Sequence, residues 1–372
     1  MKVTVIGAGI LGASTAYHLA LSGHEVTVVD QEHQGKATLA GAGIVCPWAT
    51  KVDDPDWYRM YAAGAAYYDQ LITDLAARGQ TDVGYRKVGA LVTSEVQAEY
   101  DAAGERLARR TAEAPESGGF GEISPAQAQE KFPPINPAYK AFWVPGGARV
   151  NARQLAPAML RAAVALGARF RSDYATLDLD GSRARVLDGQ GKDIPSDQII
   201  VTAGAWASQI LAPLGLAHPV KPQRGQILHF GMKGADTSRW SVLLPMASHY
   251  LLAFDDSRVV VGATREDGKG FDYRVTCEGQ HEVLTAALRY APGLADSTLI
   301  ETRIGFRPAP DGLRPILGPV PGIEGLILGN GLGAAGLTIG PFAGRQLARI
   351  ATGEAPEVAL DPYFPTASIP AA

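Results

Sequence analysis

The sequence TVIGAGILGAS at residues 4–14 places Gly7, Gly9 and Gly12 at the spacing GxGxxG, directly after a short apolar run. A strand, a tight turn and an amphipathic helix are expected there, and the next apolar run, HEVTVVD, ends at Asp30. In such a βαβ unit the glycines allow the turn, the approach of a pyrophosphate and close helix packing, while the acidic residue accepts hydrogen bonds from a ribose. The opening of the chain therefore predicts a dinucleotide site.

A second glycine-dense stretch, GNGLGAAGLTIGP at residues 329–341, leads into the last segment with a helical pattern. Its backbone can approach another part of the same cofactor closely. If that part is the ring system of a flavin, the positive end of the helix dipole stabilises the anion formed on reduction. On these residues alone NAD and FAD both stay open, and so does a turn that only closes a domain.

Composition restricts the class of protein. The chain has 372 residues, a formal net charge of -4 and two cysteines, Cys46 and Cys277. The negative charge disfavours a nucleic-acid partner, because phosphate backbones attract a positive surface. Two cysteines cannot form a disulfide framework and the seven histidines lack the short spacing of metal ligands, so no metal is expected. No cleavable leader precedes the first strand, which predicts a cytoplasmic protein and leaves peripheral contact with the inner membrane face open.

The order of strand and helix patterns predicts an α/β protein, α+β overall, in which two domains are interleaved along the chain. A Rossmann-like dinucleotide-binding domain is expected in residues 1–83, 148–216 and 305–372. The segments QILHF, HYLLAF and RVVVGAT are typical of strands and favour a β-rich substrate domain in residues 84–147 and 217–304.

Six segments of the chain resemble, in this order, the FAD-dependent amino-acid oxidoreductases. They are VIGAGILGASTAYHLALSGHEVTVVD, GKATLAGAGIVCPW, VTAGAWA, VKPQRGQ, GFRPAPDGLRPILG and GLGAAGLTIGPFAG. That family includes D-amino-acid oxidases, glycine and sarcosine oxidases and the small subunits of D-amino-acid dehydrogenases. The resemblance implies FAD rather than NAD. It also implies non-covalent binding, since the cysteine or histidine that carries a covalent flavin in some relatives has no match here.

The resemblance further implies which residues contact the cofactor, besides the three glycines of the first turn. Positions near the adenosine, pyrophosphate and ribityl chain match Ile10, Leu11, Asp30, Gln31, Lys36, Ala37 and Thr38. The loop against the isoalloxazine matches Ala42, Gly43 and Ile44, a main-chain contact to adenine matches Thr176, and the tail near the flavin matches Gly333, Gly336, Leu337 and Thr338. Two positions depart from the family, since Leu332 replaces a common histidine and Ala334 stands where some relatives carry a polar residue.

The substrate site is expected around Arg307 and Tyr250, which match the family's two anchors for the substrate carboxylate. A guanidinium group binds a carboxylate through two parallel hydrogen bonds, so Arg307 also fits this task by its own chemistry. On the residues alone, an ion pair between Arg307 and Asp311 and a half-buried strand position for Tyr250 stay open. Arg224 and Arg265 are further possible contacts for an anion, although an arginine side chain is more often solvated, which is the expectation for both.

These observations predict oxidative deamination of a small amino acid, by hydride transfer from Cα to the flavin and hydrolysis of the resulting imine to a 2-oxo acid. D-Amino acids are the leading substrate class, and glycine, sarcosine or another N-substituted amino acid is the alternative. A flavin-binding subunit of a hetero-oligomeric dehydrogenase and a nicotinamide dehydrogenase are the competing hypotheses. The electron acceptor, oxygen or a quinone, and assembly into homo- or hetero-oligomers stay open.

Overall fold

The computed structural model describes residues 1–312 and 314–366, which form nineteen strands and nine α-helices. The strands are β1 (Lys2–Ile6), β2 (Glu25–Asp30), β3 (Ile44–Val45), β4 (Tyr85–Lys87), β5 (Ala90–Val92), β6 (Gly121–Ile123), β7 (Ala141–Val144), β8 (Ala148–Val150), β9 (Arg169–Ser172), β10 (Ala175–Asp180), β11 (Arg183–Asp188), β12 (Gln198–Val201), β13 (Val220–Gly231), β14 (Val242–Leu244), β15 (Tyr250–Phe254), β16 (Arg258–Gly262), β17 (Thr298–Pro310), β18 (Ile316–Pro319) and β19 (Leu326–Asn330). The helices are α1 (Ile10–Leu21), α2 (Ala37–Ala40), α3 (Pro55–Ala76), α4 (Gln97–Thr111), α5 (Pro125–Lys131), α6 (Ala152–Ala165), α7 (Ala207–Leu211), α8 (Cys277–Tyr290) and α9 (Gly336–Ala351).

The opening βαβ unit is formed as predicted by β1, α1 and β2. Strand β1 pairs in parallel with β2 on one side and with β12 on the other. These strands belong to a six-stranded sheet of order β18-β19-β12-β1-β2-β9, in which only β18 runs antiparallel to its neighbour. Four of the five residues of β1 are buried, as expected for a parallel strand covered on both faces. The predicted Rossmann-like α/β fold is confirmed.

Close packing explains the glycines of the first turn. A Cβ atom on Gly12 would lie 1.9 Å from the carbonyl oxygen of Gly7, and one on Gly7 would lie 2.6 Å from the carbonyl oxygen of Thr202. The hydroxyl of Thr202 in turn donates a hydrogen bond of 3.0 Å to the carbonyl oxygen of Gly7. The end of β1, the start of α1 and the end of β12 therefore meet at distances that no side chain allows.

A second sheet of eight strands has the order β17-β13-β16-β15-β14-β5-β7-β6. Strands β13 and β17 pair along most of their lengths, and helix α8 packs with one face of the sheet through a buried apolar cluster. Strand β17 runs through the domain boundary predicted at residue 305. The division into two interleaved domains stays a prediction, and Leu313 and residues 367–372 of the first domain lie outside the described residues.

Helix α9 packs against α1 and connects the C-terminal tail to the first turn. It begins at Gly336, within the second glycine-dense stretch. The hydroxyl of Ser14 donates a 2.6 Å hydrogen bond to the carbonyl oxygen of Pro341, and a Cβ on Gly344 would lie 2.6 Å from Ser14. Within residues 1–312 and 314–366, no helix is both long enough and apolar enough to cross a membrane.

Candidate functional site

A cavity of 890 Å³ lies between the two sheets. Its walls include the carboxyl-terminal ends of β1, β2, β12 and β19 on one side and residues of β13, β15 and β17 on the other. Ligands of open parallel sheets bind at this edge of the strands, because the helix N-termini and connecting loops meet there. The topology therefore places one large cavity between the predicted cofactor residues and the predicted substrate residues.

Most of the predicted site residues lie on the wall of this cavity. They are Gly7, Gly9, Ile10, Leu11, Asp30, Gln31, Lys36, Ala37, Thr38, Ala42, Gly43, Ile44, Tyr250, Arg307, Gly333, Gly336 and Leu337. Of the predicted residues in the described part of the chain, three do not line it: Gly12, Thr176 and Thr338. Gly12 packs against Gly7, and Thr176 is exposed beside Ala175, which does line the cavity. The main-chain contact to adenine expected at Thr176 stays a prediction.

The carboxylate of Asp30 is held in place at the end of β2. One oxygen accepts a hydrogen bond of 2.5 Å from the backbone N–H of Ala8, and the other binds Nζ of Lys36 at 2.5 Å and the N–H of Glu32 at 2.6 Å. A carboxylate has about four acceptor positions, so capacity for ribose hydroxyl groups remains. The positive end of α1, with Gly9 on the cavity wall, lies beside it, and the N–H of Ile10 in the first turn donates a 3.0 Å hydrogen bond to the hydroxyl of Thr38.

The loop before β3 is fixed from two sides. Gly43 has a φ of +86°, and a Cβ there would lie 1.8 Å from the carbonyl oxygen of Val150. The N–H of Val150 donates to the carbonyl oxygen of Gly43 at 2.7 Å, and the buried hydroxyl of Thr338 donates to the carbonyl oxygen of Ile44 at 2.8 Å. Thr338 therefore positions the predicted isoalloxazine loop from behind instead of lining the cavity.

Arg307 lies on the wall of the same cavity and has no carboxylate partner in the described part of the chain. Its Nη1 atom donates to the carbonyl oxygen of Thr264 at 3.0 Å and to Oε1 of Gln223 at 3.3 Å. The open alternative of an ion pair with Asp311 is wrong, because Lys221 binds the Asp311 carboxylate at 3.0 Å. The guanidinium is thus oriented by neutral acceptors and keeps its charge available to a ligand.

Tyr250 begins strand β15 and shares this end of the cavity with Arg307. Burial raises the pKa of its phenol, while the positive charges of Arg307 and Arg265 act in the opposite direction. The hydroxyl is protonated at neutral pH and can donate a hydrogen bond. A half-buried tyrosine in this position can therefore assist Arg307 in holding an anionic group.

The structure corrects the expectation for Arg224. This arginine is only 2% exposed, and its guanidinium binds the carboxylates of Glu266 at 2.5 Å and Asp272 at 2.9 Å. The sequence led us to expect that this side chain contacts solvent. Two carboxylates neutralise its charge instead, as is general for a buried charged group. Arg265 is exposed as expected, yet it lies on the cavity wall.

Several wall residues were missed from the sequence. Trp206 lies after β12, where the carboxyl ends of parallel strands predict ligand contacts, so this signal was available. His33 stacks on its ring at a centroid distance of 4.4 Å. Trp57 and Tyr61 of α3 also line the cavity, although their helical spacing alone indicated a core position. Cys46 is a wall residue too, and burial raises its pKa to about 12, so its thiol stays protonated.

The family description "FAD dependent oxidoreductase" matches residues 2–350. The chain belongs to this family. Its FAD dependence and oxidoreductase activity, predicted from the six segments, are thereby confirmed. The wall residues fit a bound dinucleotide. The glycine turn and the loop at Gly43 bring backbone to the cavity wall, and the fixed Asp30 carboxylate keeps acceptor positions for ribose hydroxyl groups.

The oxidoreductase is similar over its whole length to several known proteins. It is 45% identical to an uncharacterised oxidoreductase, YurR, of Bacillus subtilis and 30% identical to a glycine oxidase of Pseudomonas aeruginosa, each over 98% of both chains. The crystal structure of iminodiacetate oxidase from Chelativorans sp. BNC1 is 60% identical, with a TM-score of 0.96 and 98% coverage of both chains. Leu332 and Ala334, the two departures noted above, both line the cavity.

Proposed function

We propose that this FAD-dependent oxidoreductase oxidises the C–N bond of an N-substituted glycine, such as iminodiacetate or N-methylglycine. The similarity to iminodiacetate oxidase at 60% identity supports this class, and it reverses the order of the two substrate classes expected from the sequence. Oxidation of D-amino acids stays a prediction, as do the subunit hypothesis and the identity of the electron acceptor. The observation that carries the proposal is the guanidinium of Arg307, which has no carboxylate partner among the described residues and lies in the same cavity as the dinucleotide turn.

In this proposal Arg307 binds the substrate carboxylate through two parallel hydrogen bonds, and the hydroxyl of Tyr250 donates a third. Fixing the carboxylate restricts the position of the adjacent carbon and nitrogen, which is the main contribution that a protein makes to such a reaction. Bound FAD supplies the chemistry by accepting a hydride from the carbon next to nitrogen. Arg307 and Tyr250 therefore act by orientation.

The described cavity wall carries two carboxylates, Asp30 and Asp173, and both belong to the dinucleotide end. The N–H of Asp173 donates to the carbonyl oxygen of Asp30 at 3.2 Å. The one histidine among the described wall residues, His33, stacks on Trp206. The substrate amine thus loses its proton to water before oxidation instead of to a dedicated side-chain base.

Product analysis tests the proposal. Purified enzyme is incubated in air, or with a quinone, with iminodiacetate, N-methylglycine, glycine or D-alanine. Iminodiacetate is expected to give glyoxylate and glycine in equal amounts, because the imine takes up one water. Faster formation of pyruvate and ammonia from D-alanine than of any product from the N-substituted glycines would contradict the proposal and favour the D-amino-acid prediction.

A further inference from the structure

Strand β13 begins with the segment VKPQRGQ at residues 220–226, and alternate residues of a strand face opposite sides of its sheet. Gln223, Gly225 and Ile227 belong to one set of alternate residues, and all three line the cavity. Arg224 belongs to the other set and forms the buried ion pair described above. The cavity side of β13 therefore has one position without a side chain, between two that carry one.

The guanidinium of Arg307 fills the space above this position. In the pairing of β13 with β17, Gln223 lies opposite Arg307 and Gly225 lies opposite Gly305. Arg307 and Gly225 are thus diagonal neighbours, a separation that a long side chain can span. A Cβ atom on Gly225 would lie 2.8 Å from Nη2, 3.0 Å from Cζ and 3.0 Å from Nη1 of Arg307. Because Cζ is as close as the two nitrogen atoms, the group turns its flat face toward Gly225.

Backbone conformation does not explain a glycine at this position. Gly225 does not have the positive φ that favours glycine, and the register shift between β13 and β17 lies farther along, between His229 and Phe230. A glycine inside a strand lowers stability relative to alanine, so it often marks a place where another group approaches closely. Here that group is the guanidinium of Arg307.

Hydrogen bonds fix the same guanidinium within its plane. Its Nη1 atom donates to the carbonyl oxygen of Thr264 and to the side-chain oxygen of Gln223, as described above. The amide nitrogen of Gln223 donates to the Asp267 carboxylate at 3.0 Å, which keeps the oxygen of Gln223 directed toward Arg307. These acceptors set the direction of the group, and Gly225 sets its distance from the sheet.

We propose that Gly225 is a positioning residue, whose missing side chain lets the Arg307 guanidinium lie close to the sheet and so determines where the substrate carboxylate is held. The inference rests on the role that the proposed function gives to Arg307 and deepens it. A methyl group at position 225 would move the guanidinium by roughly half an ångström or more, to an ordinary van der Waals separation. The end of a side chain can move in this way while the fold is kept, but a substrate misplaced on this scale reacts much more slowly.

Binding to the FAD-loaded enzyme tests this inference without turnover. Methoxyacetate replaces the nitrogen of N-methylglycine by an ether oxygen, and its dissociation constant is measured from changes in flavin absorbance. In Gly225→Ala this constant is expected to rise about tenfold or more, as for a lost hydrogen bond between charged groups. FAD content and melting temperature should stay at the wild-type level.

Gly231→Ala is the matched control at the other end of β13. A Cβ there would meet the side chain of Ile300 at 3.3 Å, and Gly231 does not line the cavity. The methoxyacetate constant of this variant is expected to equal that of the wild type. An unchanged constant in Gly225→Ala as well would overturn the inference, and so would a wild type that does not bind methoxyacetate.

A double-variant cycle shows whether Gly225 acts through Arg307. In Arg307→Gln the shorter side chain leaves room for the methyl group, so adding Gly225→Ala should lower kcat/KM by less than about twofold. If Gly225→Ala alone lowers the melting temperature, the double variant should recover it. An equal loss of kcat/KM from Gly225→Ala with and without Arg307, or a lowered melting temperature that persists in the double variant, would contradict the inference.

The two measurements separate this inference from the proposed function. If the wild type oxidises neither iminodiacetate nor N-methylglycine, the proposed function fails, while the methoxyacetate constants still decide the role of Gly225. If the wild type oxidises one of them and Gly225→Ala has wild-type constants, the inference fails and the proposed function stands.

Discussion

Nη1 of Arg307 lies 3.0 Å from the carbonyl oxygen of Thr264 and donates a hydrogen bond to it. This contact joins strand β17 to the connection after β16, and it orients a guanidinium group whose charge no carboxylate in the described part of the chain neutralises. The nearby Asp311 binds Lys221 instead. The arrangement is that of a preformed anion site at one end of a cofactor cavity.

The first prediction concerns the anchor itself. Arg307→Gln is expected to lower kcat/KM by the equivalent of about 2–5 kcal/mol, because a substrate carboxylate would be left without its charged partner. FAD content and thermal stability should stay at the wild-type level. Lys221→Gln is the control, since it removes a neighbouring positive charge that is 73% exposed and does not line the cavity. Equal kinetics in wild type and Arg307→Gln would remove this residue from the site.

The second prediction concerns the dinucleotide turn. Gly12→Ala places a methyl group where it would lie 1.9 Å from the carbonyl oxygen of Gly7, so α1 must move away from β1. A loss of about 1–3 kcal/mol in the free energy of unfolding is expected, together with weaker FAD binding. Urea unfolding and flavin content measure both effects. Gly121→Ala is the control because nothing lies within 4 Å of a Cβ there, and a Gly12→Ala variant as stable and yellow as this control would refute the packing argument.

A third prediction concerns the hydroxyl behind the flavin loop. Thr338→Val removes the 2.8 Å hydrogen bond to the carbonyl oxygen of Ile44 and leaves a polar group without its partner, at a cost of about 1–3 kcal/mol. Thr73→Val removes a bond of the same length to the carbonyl oxygen of Asp69 on the exposed face of α3, where water replaces it. Thermal unfolding should distinguish the two variants, and equal melting temperatures would contradict the positioning role of Thr338.

The fourth prediction concerns thiol reactivity. Burial raises the pKa of Cys46 to about 12, so the reactive thiolate is absent at pH 7–9, whereas Cys277 is exposed. Iodoacetamide is therefore expected to modify Cys277 alone in the native protein and both cysteines in denaturant, as seen by mass spectrometry. Modification of native Cys46 at pH 8 at the rate of Cys277 would contradict its buried position.

Local patterns were sufficient to predict the βαβ unit, because strand, turn and helix follow one another within thirty residues. Contacts between distant segments were not accessible in this way. Arg224 is separated by 42 residues from Glu266, and no pattern in the sequence indicates that the two meet.

Prediction of the cavity-wall residues from the sequence was limited in the same way. Arg307 was found because its chemistry and a family resemblance agreed. The aromatic residues Trp57 and Tyr61 could not be assigned, since apolar spacing on a helix does not distinguish a core from a cavity wall. Arg265 was one of two possible anion contacts, and the sequence could not show that it is the one on the cavity wall.

The most direct test of the account is the absorbance spectrum of the purified enzyme, mixed anaerobically with iminodiacetate and with N-methylglycine. A flavin spectrum is expected before mixing, and at least one of the two compounds is expected to bleach the flavin band, while the Arg307→Gln variant bleaches only at much higher substrate concentration. A flavin spectrum that neither compound bleaches would contradict the proposed oxidation of N-substituted glycines.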